Sequence, residues 1–433
     1  MNKYSNIFDK DFKKTIDYNK ADEFAYVTHF LQNLGANSAE PFSEVALETL
    51  LSNEVLNSRV LNGDSLTYDN PRKLAQSLTL DLEFDVPFPP PENDQFTFID
   101  LFAGIGGFRL ALQSLGGKCV FSSEIDKYCK RTYEANFGEI PFGDITNFTD
   151  EKITDEEIDK TIPDHDIIAA GFPCQAFSIA GKRGGFNDTR GTLFFDVARI
   201  IKAKRPKAFI LENVKGLVSH KGGKTLATIL NVLRNDLNYF VPTPNVLNAK
   251  DFGVPQNRER IIIVGFRSDL EVNEFNFPEQ NVDGSEFITG SSFGEIKEKS
   301  EVSVRYYLSD VYLNTLEKHR KRHKSKGNGF GYQIINEDET ANAIVVGGMG
   351  RERNLIIDNR LTNYNPVTNI KGKVNKEGVR KMTPREWARL QGFPDTYKID
   401  VVSDTQNYKQ FGNSVAVPVI QAVGSEIINK LKA

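Results

Sequence analysis

The chain of 433 residues is poor in the residues that build disulfide frameworks and metal sites, with three cysteines and five histidines. Cys119, Cys129 and Cys174 are too few for a secreted disulfide scaffold, and the scattered histidines show no metal-ligand spacing. No apolar run reaches the length of a membrane span, and the polar N-terminus MNKYSNIFDK has no signal-peptide pattern. These absences predict a cytoplasmic protein with no membrane segment and no metal centre, in which a thiol serves either packing or chemistry.

The chain also lacks an overall positive charge, since its formal net charge is -4. The charge is unevenly distributed, however. Residues 1–95 carry eight basic and 16 acidic residues, whereas residues 301–390 carry 17 basic and ten acidic ones. The densest basic run is KHRKRHKSK, from Lys318 to Lys326. Such a run is either a contact for nucleic-acid phosphates or a solvated helix end, and charge alone does not decide between them.

Proline, glycine and hydrophobic periodicity divide the chain. Residues 1–95 are predicted to form a mainly helical N-terminal extension, with helices near 21–34 and 42–56, that ends in the stiff linker VPFPPP. From residue 96, short β-rich runs alternate with helical ones, which predicts an α/β fold with a parallel, doubly wound sheet over 96–270. Residues 271–400 are rich in asparagine and glycine and predict a smaller, loop-rich domain, after which 401–433 return to the first domain.

A glycine turn follows the first predicted strand in FIDLFAGIGGFRLAL. Gly104, Gly106 and Gly107 let the backbone approach a ligand, which the amides of the next helix then face. The dinucleotide fingerprint G-x-G-x-x-G is not met, because an arginine stands at the third glycine position. Glu124 ends the next strand and can bind a ribose diol, and Asp144 in GDIT can accept from an adenine amine. The pattern predicts a nucleoside pocket without a pyrophosphate cradle, which suits S-adenosylmethionine better than NAD.

Three reactive side chains follow other strands of the same predicted sheet. IIAAGFPCQAFS places Cys174 in a turn just after an apolar strand, FILENV places Glu212 at the same edge, and QNRERIIIVGF brings Arg258 and Arg260 to the start of another strand. Each has a simpler explanation, namely a packing thiol, a strand-end salt bridge and a solvated arginine pair. Around one nucleoside pocket they favour attack on an electron-poor ring.

These motifs, in this order, resemble those of the DNA (cytosine-5) methyltransferases, in particular the bacterial type II restriction-modification enzymes. The resemblance covers about residues 96 to 433 and rests on DLFAGIGGFR, GFPCQAFS, ENV, QNRER, RKMTPREWARLQGFPD and QFGNSVAVPV. It does not reach residues 1–95. It implies a Rossmann-like S-adenosylmethionine-dependent methyltransferase sheet in 96–270, a target-recognition domain in 271–400 and a closing C-terminal segment in 401–433.

The resemblance implies methyl transfer from S-adenosylmethionine to C5 of a cytosine flipped out of a specific double-stranded DNA site. Cys174 would add to C6 of the ring, and Glu212 would bond N3 and the exocyclic amine. Arg260 would hold the cytosine O2, while Arg258 would help to fix the catalytic turn. Loss of the C5 proton would then expel Cys174.

Cofactor and DNA contacts carry over from the resemblance position by position. The implied cofactor residues are Phe102, Gly104, Ile105, Gly106, Glu124, Ile125, Asp144, Pro173, Asn413 and Val415. Ile125 departs from relatives with an aromatic residue on the adenine face, which predicts weaker stacking. The implied DNA residues are Lys182, Arg183 and Arg190 on phosphates, Phe330 in the space left by the flipped base, and Arg351 and Arg353 on guanine. Alternatively, Phe330 belongs to the core and the two last arginines contact phosphate alone.

The implied partner is double-stranded DNA containing a short specific site. The chain is predicted to act as a monomer, and a cognate restriction endonuclease shares the site without needing to bind. Alternatives are a transfer-RNA cytosine methyltransferase, which lacks support because the Cys-Phe-Thr element of that family is absent, and a catalytically silent DNA-binding relative, which the intact Cys174, Glu212 and Arg260 disfavour. A helix-turn-helix repressor within residues 1–95 is disfavoured by their acidic charge. The DNA target sequence and the role of residues 1–95 stay open.

Overall fold

The structure is a computed structural model that describes residues 15–53, 85–173, 193–280, 285–327, 331–347, 350–364 and 372–432. The chain divides into two compact units. Unit 1 comprises Met1–Val246, Arg260–Phe277 and Val423–Ala433, and unit 2 comprises Leu247–Glu259 and Pro278–Ala422. The predicted boundaries at 95, 270 and 400 stay predictions, and this division differs from them because the N-terminal residues share a unit with the sheet.

Unit 1 consists of a sheet with helices packed on it. Its helices are α1 (Asp22–Gln32), α2 (Ser43–Ser52), α3 (Gly107–Ser114), α4 (Lys127–Phe137), α5 (Thr146–Thr149), α6 (Asp155–Thr161), α7 (Leu193–Lys204) and α8 (Lys224–Asn231). Its strands are β1 (Phe96–Leu101), β2 (Gly117–Ser123), β3 (Ile167–Ala170), β4 (Ala208–Val214), β5 (Tyr239–Phe240) and β8 (Glu259–Arg267), while β6 (Asn245–Asn248) leads into unit 2. Short 3-10 turns lie at Asn37–Phe42, Lys215–Val218 and Ser268–Leu270, and a π turn at Val232–Asp236.

The sheet has the strand order β2-β1-β3-β4-β8-β5, with β6 also paired to β8. Strands β2, β1, β3 and β4 are parallel, and β1, β3 and most of β4 are buried, as expected for a sheet covered on both faces. The predicted α/β fold is confirmed. The prediction of a parallel sheet is wrong at β8, which runs antiparallel to both β4 and β5.

The direction of β8 follows from its connection. Strand β8 inserts between β4 and β5, and the chain reaches it from β5 through β6 and a 3-10 turn without a crossover helix. A parallel neighbour needs a long crossover, whereas a short connection returns the chain antiparallel. The start of β8 therefore lies at the sheet edge where β1 to β4 end, and this direction brings Arg260 opposite Val214.

Local capping sets the helices that border this edge. Helix α4 begins after Asp126, whose carboxylate accepts from the backbone amides of Tyr128 (2.9 Å) and Cys129 (3.3 Å), and it ends at Gly138 in the left-handed conformation. Helix α3 begins directly after Gly106, which is also left-handed. The predicted helix starts at 107 and 127 are confirmed.

Apart from one long helix, unit 2 is built from short elements, as the weak periodicity of the sequence predicts. Its helices are α9 (Phe293–Ile296), α10 (Asp310–Lys324), α11 (Pro384–Leu390) and α12 (Asp404–Asn413), and α13 (Val417–Lys432) runs on into unit 1. Its strands are β7 (Gln256–Asn257), β9 (Gln333–Ile334), β10 (Ala341–Asn342), β11 (Asn354–Ile357) and β12 (Val379–Lys381), and 3-10 turns lie at Ala249–Phe252, Val304–Tyr306 and Gly350–Glu352. The strands form a two-stranded sheet, β10-β7, and a three-stranded sheet, β12-β11-β9.

Helices α12 and α13 belong to the stretch Asp404–Lys432, which has the length and apolar character of a membrane-crossing helix. In the part of the chain that the structure describes, it is the only helical stretch that does. However, 78% of its most apolar window is buried inside the protein. A core helix has the same properties, so its hydropathy is weak evidence for a membrane.

Candidate active site and cofactor site

The glycine turn between β1 and α3 takes a backbone course that glycine favours. Gly104 has φ +56° and Gly106 has φ +79°. A Cβ at Gly106 would overlap the Phe137 ring of α4, with its Cζ at 2.7 Å, whereas the nearest described atom to a Cβ at Gly104 is the Phe102 carbonyl oxygen at 3.9 Å. The turn is therefore packed against the protein at Gly106 and has room for a ligand at Gly104.

Glu124 binds this turn from the end of β2. Its carboxylate accepts from the Gly104 amide at 2.8 Å and from the Asp126 amide at 2.7 Å. Burial raises the pKa of Glu124, although these two amide bonds oppose the shift. The adjacent Ile125 is 69% exposed, an unusual exposure for a large apolar side chain. The family resemblance implies that both residues lie beside the ribose and adenine of the cofactor, and the structure bonds Glu124 to the glycine turn, with Ile125 next to it in the chain.

Asp144 follows a short extension of the same sheet. Phe142 forms an isolated parallel bridge with Ser123, and the Glu124 amide donates to the Phe142 carbonyl at 2.8 Å. Asp144 comes two residues later, where its carboxylate accepts from the Thr146 amide at 3.0 Å. Asp144 and Glu124 are thus carried by paired segments at one edge of the sheet.

The predicted catalytic carboxylate lies at the end of β4. Glu212 Oε1 pairs with Arg260 Nε at 2.9 Å, and both side chains are largely buried. Arg260 stands opposite Val214 in the register, so its long side chain reaches diagonally to Glu212. The other carboxylate oxygen lies 3.8 Å from an ideal Cβ at Gly171, just after β3. The structure therefore joins the carboxylate and arginine motifs and places them beside the segment that leads to Cys174.

Cys174 itself lies outside the described residues, as do Lys182, Arg183, Arg190 and Phe330. The described part of the catalytic turn ends at Pro173, which is exposed. The buried Asn213 donates from Nδ2 to the carbonyl of Phe172 at 2.9 Å. This role of Asn213 was not predicted, although its position next to Glu212 in the ENV motif was the available signal.

Arg258 packs within unit 2 and is 2% exposed. Its guanidinium donates to the carbonyls of Ile344 (3.0 Å), Gly412 (3.2 Å) and Ser414 (2.6 Å). The bonds to Gly412 and Ser414 hold the closing motif QFGNSVAVPV, in which Asn413 is exposed and Val415 is buried. The sequence predicts that Arg258 fixes the catalytic turn. That prediction is untested at Cys174, and the described guanidinium bonds go to Ile344 and to the closing motif.

Of the predicted base-reading arginines, Arg351 is half-buried, with its guanidinium 5.8 Å from the centre of the Tyr408 ring, whereas Arg353 is exposed. The basic run forms the end of α10, where Leu316 is the only buried residue of the helix. The interpretation as an exposed helix end is confirmed, and a role in DNA contact stays a prediction.

A buried charged cluster that sequence analysis missed lies behind the glycine turn. Arg109 of α3 pairs with Glu139 at 2.9 Å, and both side chains are fully buried. Burial alone would raise the pKa of Glu139, but Arg109 and the hydroxyl of Ser122 help to lower it below its usual range. The arginine that breaks the dinucleotide fingerprint is therefore a structural cation of this cluster.

Comparison with known proteins identifies a matching family. The family model of the C-5 cytosine-specific DNA methylases matches residues 96–429. The type II methyltransferase M.HpaII of Haemophilus parainfluenzae is 64% identical over 349 residues, covering 80% of this chain and 93% of that protein. The type II methyltransferase M.SsoII of Shigella sonnei is 47% identical over 349 residues, covering 80% and 83%. Among solved structures, the S. pombe Dnmt2 methyltransferase is similar in fold, with a TM-score of 0.56 at 18% identity, covering 78% of this chain and all of that one.

Proposed function

The chain belongs to the family of C-5 cytosine-specific DNA methylases, and we propose that the residues assembled at its sheet edge carry out methyl transfer to cytosine C5. The enzyme is a DNA (cytosine-5) methyltransferase of the type II restriction-modification kind. The observation that carries the assignment of roles is the Glu212–Arg260 pair beside the segment Gly171–Pro173, on the same edge as the glycine turn held by Glu124.

The residues at the glycine turn fit S-adenosylmethionine, which supplies the methyl group when bound. The space over Gly104 admits a ligand next to the backbone, and the carboxylate of Glu124 has further lone pairs for ribose hydroxyls after accepting its two amide bonds. The exposed Ile125 offers an apolar surface to a purine, and Asp144 provides an acceptor for its amine. We assign Phe102, Ile105, Gly106, Pro173, Asn413 and Val415 to the same cofactor from the family resemblance.

The catalytic steps follow from the chemistry of three side chains. Cys174, as thiolate, adds to C6 of the flipped cytosine, and a carbon–sulfur bond forms while electron density moves to C5. Glu212 shares a proton with N3 and accepts from the exocyclic amine, and Arg260 donates to O2, so both withdraw electrons from the ring. C5 then takes the methyl group while the carbon–sulfur bond that carried it breaks, so that the sulfonium sulfur becomes a neutral thioether. Loss of the C5 proton to a water molecule restores the double bond and expels the Cys174 thiolate.

The substrate that we propose is double-stranded DNA with a short specific site, which a cognate restriction endonuclease shares without binding this chain. Lys182, Arg183 and Arg190 grip phosphates, and Phe330, Arg351 and Arg353 face the bases. The exposed basic end of α10 adds positive charge to unit 2, within which residues 301–390 carry more basic than acidic side chains. We propose that the enzyme acts as a cytoplasmic monomer.

Substitution of Cys174→Ser tests the proposed mechanism. DNA copied with 5-fluorocytosine in place of cytosine carries the modified base at every target, so the recognition sequence need not be known. The fluorine stops the reaction at the covalent stage because no C5 proton can leave. We expect a denaturant-resistant protein–DNA adduct with the wild type and none with Cys174→Ser. Cys129→Ser, which changes a half-buried cysteine in α4, is the matched control and should behave as the wild type. An adduct formed by Cys174→Ser would refute the proposed nucleophile.

A further inference from the structure

The N-terminal helical segment, residues 15–53, is part of the core of unit 1 although it precedes the family match at 96–429. Helix α1 buries Ala25, Val27, Phe30 and Leu31, and these side chains belong to the same hydrophobic cluster as the strands. Phe42, from the turn after α1, is fully buried and stacks on Phe142 with ring centres 5.8 Å apart. The segment therefore packs against the sheet next to Phe142, two residues before Asp144.

Polar side chains of α1 also enter the buried charged cluster behind the glycine turn. Gln32 accepts from Arg109 at 2.7 Å and donates to the carbonyl of Phe137 at 2.6 Å. The Ser122 amide donates to His29 Nε2 at 3.0 Å, while His29 Nδ1 lies 2.8 Å from the Ala25 carbonyl. Buried polar groups need such partners, so α1 completes the bonding of α3 and β2.

Asp22, the first residue of α1, contacts the segment that carries Asp144. Asp22 Oδ1 accepts from the backbone amide of Gly143 at 2.9 Å and lies 3.5 Å from Lys130 Nζ. Ser123 donates to the carbonyl of the same Gly143 at 2.9 Å, so both of its backbone groups are held. The next residue in the chain is Asp144. Lys130 is almost fully buried and pairs with Asp22, whose side chain is 43% exposed, so this partly exposed acid also compensates a buried charge.

We propose that Asp22 is a positioning residue for the cofactor site, acting through Gly143 to hold Asp144 beside Glu124. This inference rests on the proposed assignment of Asp144 and Glu124 to S-adenosylmethionine. Loss of the Asp22 carboxylate leaves the Gly143 amide without this acceptor and Lys130 without this partner. The segment that carries Asp144 then loses the bond at the Gly143 amide, although Phe142 and the Ser123 hydroxyl still join it to β2, and the cofactor must restore the lost order when it binds.

The test compares variants at one helix turn. Asp22→Ala should raise both the Kd and the KM for S-adenosylmethionine about tenfold, the usual scale for a lost hydrogen bond to a charged acceptor. At saturating cofactor, kcat should stay near the wild-type value, and the KM for DNA should not change. Asp22→Asn keeps an acceptor for the Gly143 amide and should recover most of the affinity. Glu23→Ala removes an exposed acid of the same turn and should match the wild type.

Asp144→Ala distinguishes a wrong cofactor assignment from a wrong role for Asp22. If it leaves cofactor affinity unchanged, the assignment of Asp144 is wrong, and the inference falls with it. If Asp144→Ala weakens binding but Asp22→Ala does not, only the inference is overturned. A fall in kcat with an unchanged KM for the cofactor would also overturn it, because that pattern indicates a loss of folded enzyme. Should Asp22→Ala fail to fold, Asp22→Ser replaces it, because its shorter side chain keeps a polar atom but holds it further from the Gly143 amide; a wild-type KM for Asp22→Asn beside a raised KM for Asp22→Ser would support the role of the acceptor, and equal KM values would refute it.

Discussion

Gly106→Ala should destabilise unit 1 far more than Gly104→Ala, although the two glycines lie two residues apart in one turn. Both have positive φ, and an alanine in that region costs about 1 to 2 kcal/mol. Only at Gly106 does the new methyl group also overlap the Phe137 ring. Forcing an extra methyl group into a packed core adds about 1 to 3 kcal/mol.

The expected loss for Gly106→Ala is therefore about 2 to 5 kcal/mol of unfolding free energy, against about 1 to 2 kcal/mol for Gly104→Ala. The ring cannot easily retreat, because Phe137 is fully buried and its centre lies 4.7 Å from that of Tyr133 and 4.8 Å from the Arg109 guanidinium. A movement of Phe137 would therefore disturb the charged cluster as well as the turn.

Urea-dependent hydrogen exchange read on peptides from β1 and α3 measures this loss in unit 1. Fluorescence of the single tryptophan, Trp387, would report unit 2 instead, because that residue lies in α11. With a urea dependence of about 3 kcal/mol per molar, the midpoint for Gly106→Ala should fall by about 1 M. Equal midpoints for the two alanine variants would show that Phe137 makes room without cost, and the packing argument would fail.

Two further predictions concern pH and specificity. Burial lowers the pKa of His165 to about 4. Below pH 6.5 the unfolded chain therefore binds a proton at this residue that the folded chain does not bind, and the free energy of unfolding should fall by about 2 kcal/mol between pH 6.5 and 5. Urea unfolding at a series of pH values should show a shallower pH dependence for His165→Gln than for the wild type. Arg351→Ala should reduce the preference for guanine at one position of the site by about 1 to 3 kcal/mol. Single-turnover rates on DNA sites with single-base changes, at two salt concentrations, measure this preference, and Arg353→Ala, which changes an exposed arginine, serves for comparison. A uniform weakening on all DNA would instead indicate that Arg351 contacts phosphate.

Features determined by local sequence were predictable. The glycine turn, the acid at the end of β2 and the helix starts at 107 and 127 depend on residues close in the chain, and the structure has them where the sequence predicts them. The direction of β8 was not predictable in the same way, because the weak strands β5 and β6 between α8 and β8 gave little signal. The antiparallel direction matters for the site, since it brings Arg260 to Glu212.

The contacts of residues 15–53 with the rest of unit 1 could not be predicted from composition. Their acidic surroundings argue against direct DNA contact, but net charge does not reveal that one of these acids pairs with a buried lysine. The amphipathic pattern of α1 predicts that one face is buried, yet its polar partners lie 77 to 121 residues further along the chain. Such contacts depend on tertiary packing, which no local pattern encodes. A segment outside the family's own motifs can thus hold a backbone amide next to the residue proposed to recognise adenine, and the affinity for the cofactor, rather than for DNA, is where its loss should be measured.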